Sequence, residues 1–175
     1  MNWANNPNVK FKGGGNFMGK QKNKNYQNPG NQNERRILSD EDIENILDLK
    51  PENIGILIKK SDELAEEIGD LISGKKRIER ISSSKLRDFY DYVVQIKESK
   101  DDKWYLKLML LKPKMTYHAS KENEKSDKRK ALELFNNEIS RILDKIDRNN
   151  DNHFENFKTF FEAVVAYHKK YTKSN

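Results

Sequence analysis

Cysteine is absent from this chain of 175 residues, and proline occurs only four times. Without a thiol there is no disulfide, no thiolate metal site and no cysteine nucleophile, and the lack favours a reducing compartment. Histidine is almost as scarce. His118, His153 and His168 stand alone, none in an H-x-E or H-E-x-x-H arrangement, so neither a zinc centre nor a partnered histidine base is expected. No apolar run approaches the ~20 residues of a membrane span. Met1 to Gly15 lacks the apolar core of a secretory signal. These absences read as a cytoplasmic protein with no cofactor, no membrane contact and no enzymatic activity. Apolar residues are few as well, at 34% against 35% charged, and the mean hydropathy is -1.04. Such a chain must be partly disordered or fold into thin-cored, heavily solvated helices.

What is present is charge, unevenly placed. The formal net charge is +6, and residues 1–36 alone account for it, with seven bases against Glu34. Residues 40–73 carry eleven acids and three lysines, whereas residues 74–87 and 97–130 are each +5. A neutral domain with one acidic end and two basic segments suits a polyanion on one face and a basic neighbour on another. The same pattern also fits helix faces that are simply solvated.

Residues 1–36 read as a disordered tail. Ten asparagines and five glycines bury too little surface to offset the entropy of ordering them. Trp3, Phe11, Phe17 and Tyr26 lie among its lysines. Residues 37–175 read as one helical domain. Ser39 with Asp42 opens a first helix as a capping box, and Pro51 sits at a favourable first-turn position. The apolar spacing from Ile54 to Ile72 predicts a second helix ended by Gly74. The third follows Ser82-Ser83-Ser84. The fourth begins near Asp101 or Asp102, with a kink or break expected at Lys112, before Pro113. The fifth begins about Ser126, Asp147 to Asn152 is a loop, and the last helix carries Phe154 to Tyr167. No segment alternates with period two between hairpin turns. The fold class is therefore all-α, a compact five- to six-helix bundle with a disordered N-terminal tail.

Two motifs fail on inspection. Gly14 to Lys20 spells a phosphate loop, but Gln21 stands where serine or threonine would bind magnesium and no strand precedes it. Asp147, Asn149 and Asp151 open a calcium loop whose sixth position is Asn152 and whose twelfth is Lys158, a cation where a bidentate glutamate belongs. The positive signal is basic. Lys85 and Arg87 lie in the first turn of the third helix, where exposed amides favour phosphate. Lys112 and Lys114 flank Pro113, and Lys121, Lys125, Lys128, Arg129 and Lys130 follow. Together they are expected to form a cationic strip that binds phosphate backbone without reading bases.

Three stretches resemble the small-subunit family of type III-A CRISPR (Csm) interference complexes. Ser84-Lys85-Leu86-Arg87-Asp88-Phe89-Tyr90 is similar to the family's helix opening. Leu110-Leu111-Lys112-Pro113-Lys114-Met115-Thr116-Tyr117 resembles its leucine-basic-proline-lysine-leucine-alanine-tyrosine stretch, with Met115-Thr116 in place of leucine-alanine. Glu162-Ala163-Val164-Val165-Ala166-Tyr167-His168-Lys169 resembles its C-terminal helix. The likeness spans roughly residues 38 to 170. It implies a non-catalytic structural subunit that stacks with copies of itself and contacts guide RNA and target RNA along their backbones. Its other partners would be the backbone subunits and the large polymerase-like subunit. Lys85, Arg87, Lys112, Lys114 and Lys121 would face RNA, with Lys121 where the family commonly has arginine. Tyr117 and Tyr167 would be core or interface aromatics. The alternative is a helical protein–protein adaptor whose basic faces are only solvated.

Overall fold

The computed structural model describes residues 36–98 and 103–172. Apart from Arg36, the expected tail lies outside them, as does the helix start expected at Asp101 or Asp102. Within the described residues the chain forms α1 (Asp40–Leu47), α2 (Ile54–Ile68), β1 (Leu71–Ser73), β2 (Lys76–Ile78), α3 (Ser83–Glu98), α4 (Trp104–Met109), α5 (Leu111–Ser120), α6 (Asp127–Lys145) and α7 (Asp151–His168). Short 3-10 turns at Pro51–Asn53 and Lys169–Tyr171 lead into α2 and out of α7. Leu110 joins α4 to α5 with its own backbone still right-handed (φ -67°, ψ -11°). The two make one interrupted rod, and the described residues form a compact bundle of six helices.

Side-chain caps set most helix starts. Ser39 Oγ accepts from the Asp42 amide at 3.0 Å while Asp42 accepts from the Ser39 amide at 2.8 Å, the reciprocal pair expected from the sequence. Ser82 caps α3 through the Lys85 amide, and Ser126 caps α6 through the Arg129 amide. The interruption before Pro113 falls at Leu110, two residues earlier than expected. Pro113 is the third residue of α5, where its missing amide would have no intrahelical acceptor to satisfy. The proline therefore opens a helix instead of breaking one.

The second helix also departs from expectation. It ends at Ile68, and the residues assigned to its last turn form the hairpin, pairing Leu71 with Ile78, Ile72 with Arg77 and Ser73 with Lys76. Gly69 is needed where α2 stops, because a Cβ there would lie 2.5 Å from the Cβ of Tyr171. Arg80 then donates to the carbonyls of Glu66 and Gly69, covering the orphan acceptors at the helix end. Gly74 takes φ 60° in the two-residue turn between the strands, as primed hairpin turns require. Each strand is three residues long, with only Ile78 partly buried. No buried face was there to impose a period-two pattern.

The core is mostly leucine and isoleucine, with large rings threaded through it. Six of the eight phenylalanines are fully buried. They run in sequence of contact from Phe157 to Phe161 (6.0 Å between centroids), Phe135 (5.5 Å) and Phe89 (6.3 Å), joining α7, α6 and α3. A buried charge accompanies them. Glu138 on α6 is 1% exposed. Its carboxylate accepts from the Ile37 amide at 2.8 Å, the Leu38 amide at 3.4 Å and Arg141 at 3.0 Å. Arg141 donates onward to the Leu38 carbonyl and to Asp40. This clamp fixes the chain as it enters the bundle.

Two outcomes follow from these buried polar groups. Glu138→Ala leaves two amides unanswered and Arg141 with Asp40 as its one carboxylate partner, and should cost about 3 kcal/mol in urea unfolding. His168, at the end of α7, is 1% exposed, and its ring nitrogens lie near the Ile68 and Ile81 backbone without hydrogen-bond geometry. Burial holds its pKa below the ordinary histidine value, against the opposing pull of Asp70. The unfolded chain then binds more protons in acid, so the stability from His168 is complete above the unfolded pKa of about 6.5 and is lost as pH falls below it. Thermal melts between about pH 7 and about pH 5 should drop further for the wild type than for His168→Leu.

Candidate nucleic-acid interface

Three stripes on α5 decide where its cations go. Leu111, Met115 and Ala119, spaced by four, are buried in the core. Lys112 and Thr116, also spaced by four, turn toward α6: Lys112 Nζ pairs with Asp144, and Asn136 donates to Thr116 Oγ1 at 3.0 Å. Lys114, His118 and Lys121 form the third stripe, at i, i+4 and i+7, and it turns toward α3.

On that third stripe Lys114 Nζ lies 4.2 Å from the ring centroid of Tyr92 on α3. The ring of His118 packs edge-on against Phe89 at 5.4 Å, and its Nδ1 lies 3.3 Å from Lys85 Nζ. With its proton on Nε2, the imidazole accepts from the lysine. Lys121 Nζ sits 4.3 Å above the ring of Tyr117. Lys85, His118, Lys121 and Lys128 share a cleft of about 260 Å³ with Arg80.

Of the five basic residues singled out in the sequence, the structure gathers Lys85, Lys114 and Lys121 around His118. Arg87 is exposed on α3 two residues past Lys85, about 200° further round the helix. Lys112 lies on the side of α5 away from Lys114 for the same reason. The cationic strip is therefore not continuous through Lys112 and Lys114; it is a cluster centred on one face, with Arg87 and Lys112 to either side. Several neighbours are partnered within the molecule. Lys128 pairs with Glu79, Arg129 with Glu133 and Lys130 with Asp127, and Arg80 caps α2.

The cluster leaves a mark on His118. Burial first, then the charges of Lys85, Lys121 and Lys114, push its pKa below the ordinary histidine value. The imidazole is thus neutral at physiological pH and reports the cationic potential around it. His118 was not assigned to the site from sequence, although the spacing of Lys114, His118 and Lys121 carried the signal. Tyr117 is not a core residue: it is 55% exposed, whereas Tyr167 packs half-buried against the core. Lys85→Glu removes a repelling cation beside the imidazole, so the His118 pKa should rise. Its ring proton shifts, followed by NMR across a pH series, check this.

Among the described residues no three His, Asp or Glu side chains are placed to hold a metal ion. The calcium-like stretch is a turn in which Asp147 accepts from the Asn149 amide at 2.9 Å and Asn150 caps α7. No described helix is long and apolar enough to cross a membrane.

Neither a curated protein nor a solved structure matches the chain. A family model, described as Csm2 Type III-A, matches residues 56–174, which takes in the hairpin, the whole of α3 to α7 and every side chain of the cluster. α1 lies outside that match. On this match the chain belongs to the Csm2 Type III-A family, structural small subunits of type III-A CRISPR complexes.

Proposed function

We propose that this subunit binds RNA by its phosphates, holding guide RNA and its paired target within the effector complex while leaving sequence choice to base pairing. The observation that carries this reading is the gathering of Lys85, Lys114 and Lys121 around a half-buried, deprotonated His118. These three ammonium groups have no carboxylate partner among the described contacts. Flexible ammonium groups on a fixed helix face suit backbone oxygens, which recur regardless of sequence. Arg87 and Lys112 flank the face and extend it to further phosphates. Target cleavage and signalling chemistry belong, in this reading, to other subunits, and the complex operates in the cytoplasm.

Copies of the subunit stack on one another and dock on the backbone subunits and the large polymerase-like subunit. Ile54 and Ile58 on α2 are 48% and 44% exposed, and Ile72 on the hairpin is 70% exposed. They stand within the acidic segment and beside the basic hairpin respectively, where apolar side chains with charged surrounds fit protein contacts.

Binding of the full chain to unrelated single-stranded RNAs should be alike in affinity and fall steeply with salt. Three phosphate contacts on a single strand give a log–log slope of about -2. Lys85→Glu, Lys114→Glu and Lys121→Glu should each weaken binding uniformly across sequences, whereas Lys112→Glu should weaken it less, because Asp144 already neutralises part of that charge. Filter binding or fluorescence anisotropy across a salt series is the measurement. No binding at low salt would overturn the reading.

A further inference from the structure

We infer that Tyr117 is a stacking platform for an unpaired nucleobase, so that the RNA on this face is single-stranded, or has a base turned out, at that point. This rests on the RNA-contact reading and adds to it the kind of RNA segment the site takes.

Among the described residues no other aromatic ring is exposed: the phenylalanines are buried, and Trp104 and the remaining tyrosines are half-buried. Exposure of one large ring would mean little by itself. Here it coincides with the cation cluster. Tyr117 shares α5 with Lys114 and Lys121, and the Lys121 ammonium lies 4.3 Å from its ring centroid. Its ring also packs at an angle against that of His118, at 5.6 Å between centroids and 70° between planes. His118 is seated on buried Phe89 in turn. The ring is therefore exposed yet held in place, which lowers the entropy lost when a flat partner settles on it.

An aromatic face beside phosphate-binding ammonium groups is the pairing of features that single-strand sites use. A base stacked on Tyr117 would bring its own phosphate toward Lys121, whose exposed contact with the ring is weak enough to yield. A fully paired duplex cannot use the ring, because its bases are stacked inside the helix. The phenol hydroxyl has no part in stacking, so phenylalanine should replace tyrosine here without loss. A protein neighbour covering the ring is the rival occupant, and it would show no dependence on bases.

The test compares three RNAs of about 12 nucleotides on the full chain at low salt: a single strand, the same strand with abasic ribose throughout, and a blunt duplex. The wild type should bind the intact strand about tenfold more tightly than the abasic one. Tyr117→Phe should keep that preference. Tyr117→Leu should lose it while binding the abasic strand and the duplex as the wild type does. Far-ultraviolet circular dichroism confirms that these surface variants stay folded. Equal binding of intact and abasic strands by the wild type overturns the platform while leaving phosphate contact standing. So does a leucine variant that keeps the preference, or one that weakens on all three RNAs alike. If the wild type binds none of the three, the RNA-contact reading falls and this inference with it.

Discussion

The line of ring contacts that runs from Phe157 through Phe161, Phe135 and Phe89 ends on His118, and the placement of the cationic face depends on it. Leucines and isoleucines fill most of the core, and six buried phenylalanines thread through them. Each of those rings removes far more area from water than a valine or alanine. The same line of rings ties the surface to the interior. His118 is the last ring of the core and the first group of the site, so α5 cannot rotate without unseating it. Lys114 and Lys121, one helical turn to either side, inherit that fixity.

Counting lysines in the sequence overstated how many are available to a ligand and misjudged which. Lys112, Lys128, Arg129 and Lys130 face carboxylates, and Arg80 covers the end of α2. Exposed pairs of this sort are weak, about 0–1 kcal/mol. They can exchange a carboxylate for a phosphate, but they start from a compensated state. Lys85 and Lys114 instead lean on a neutral imidazole and an aromatic face, contacts that leave their charge uncancelled.

The helices were legible because their signals are local. Ser39, Ser82 and Ser126 cap within three residues of themselves, and the apolar spacing of α6 and α7 needs no tertiary knowledge. Gly69 and the hairpin were not, since what ends α2 is the approach of Tyr171, 102 residues away in sequence, and the strands have no buried face to pattern them. At the site, the three faces of α5 follow from helical geometry once Leu111, Met115 and Ala119 are known to point inward. Treating Lys112 and Lys114 as a pair because they flank one proline ignored that residues two apart look in different directions. The exposure of Tyr117 was beyond sequence reasoning, because an aromatic in a half-polar helix is as readily buried.

The Glu138 clamp has a consequence for the order of assembly. Ile37 and Leu38 meet partners 101 and 100 residues downstream. During synthesis the entry strand leaves the ribosome long before α6 exists, and its two amides have water as their acceptor until then. α1 can form early through its own capping box and pair with α2 through Lys60 and Asp42, but the Glu138 clamp cannot close until most of the domain has been made. Closing so long a loop contributes to the barrier and not to early collapse. The segment that enters the bundle at Ile37 and Leu38 should therefore be among the last parts to become rigid.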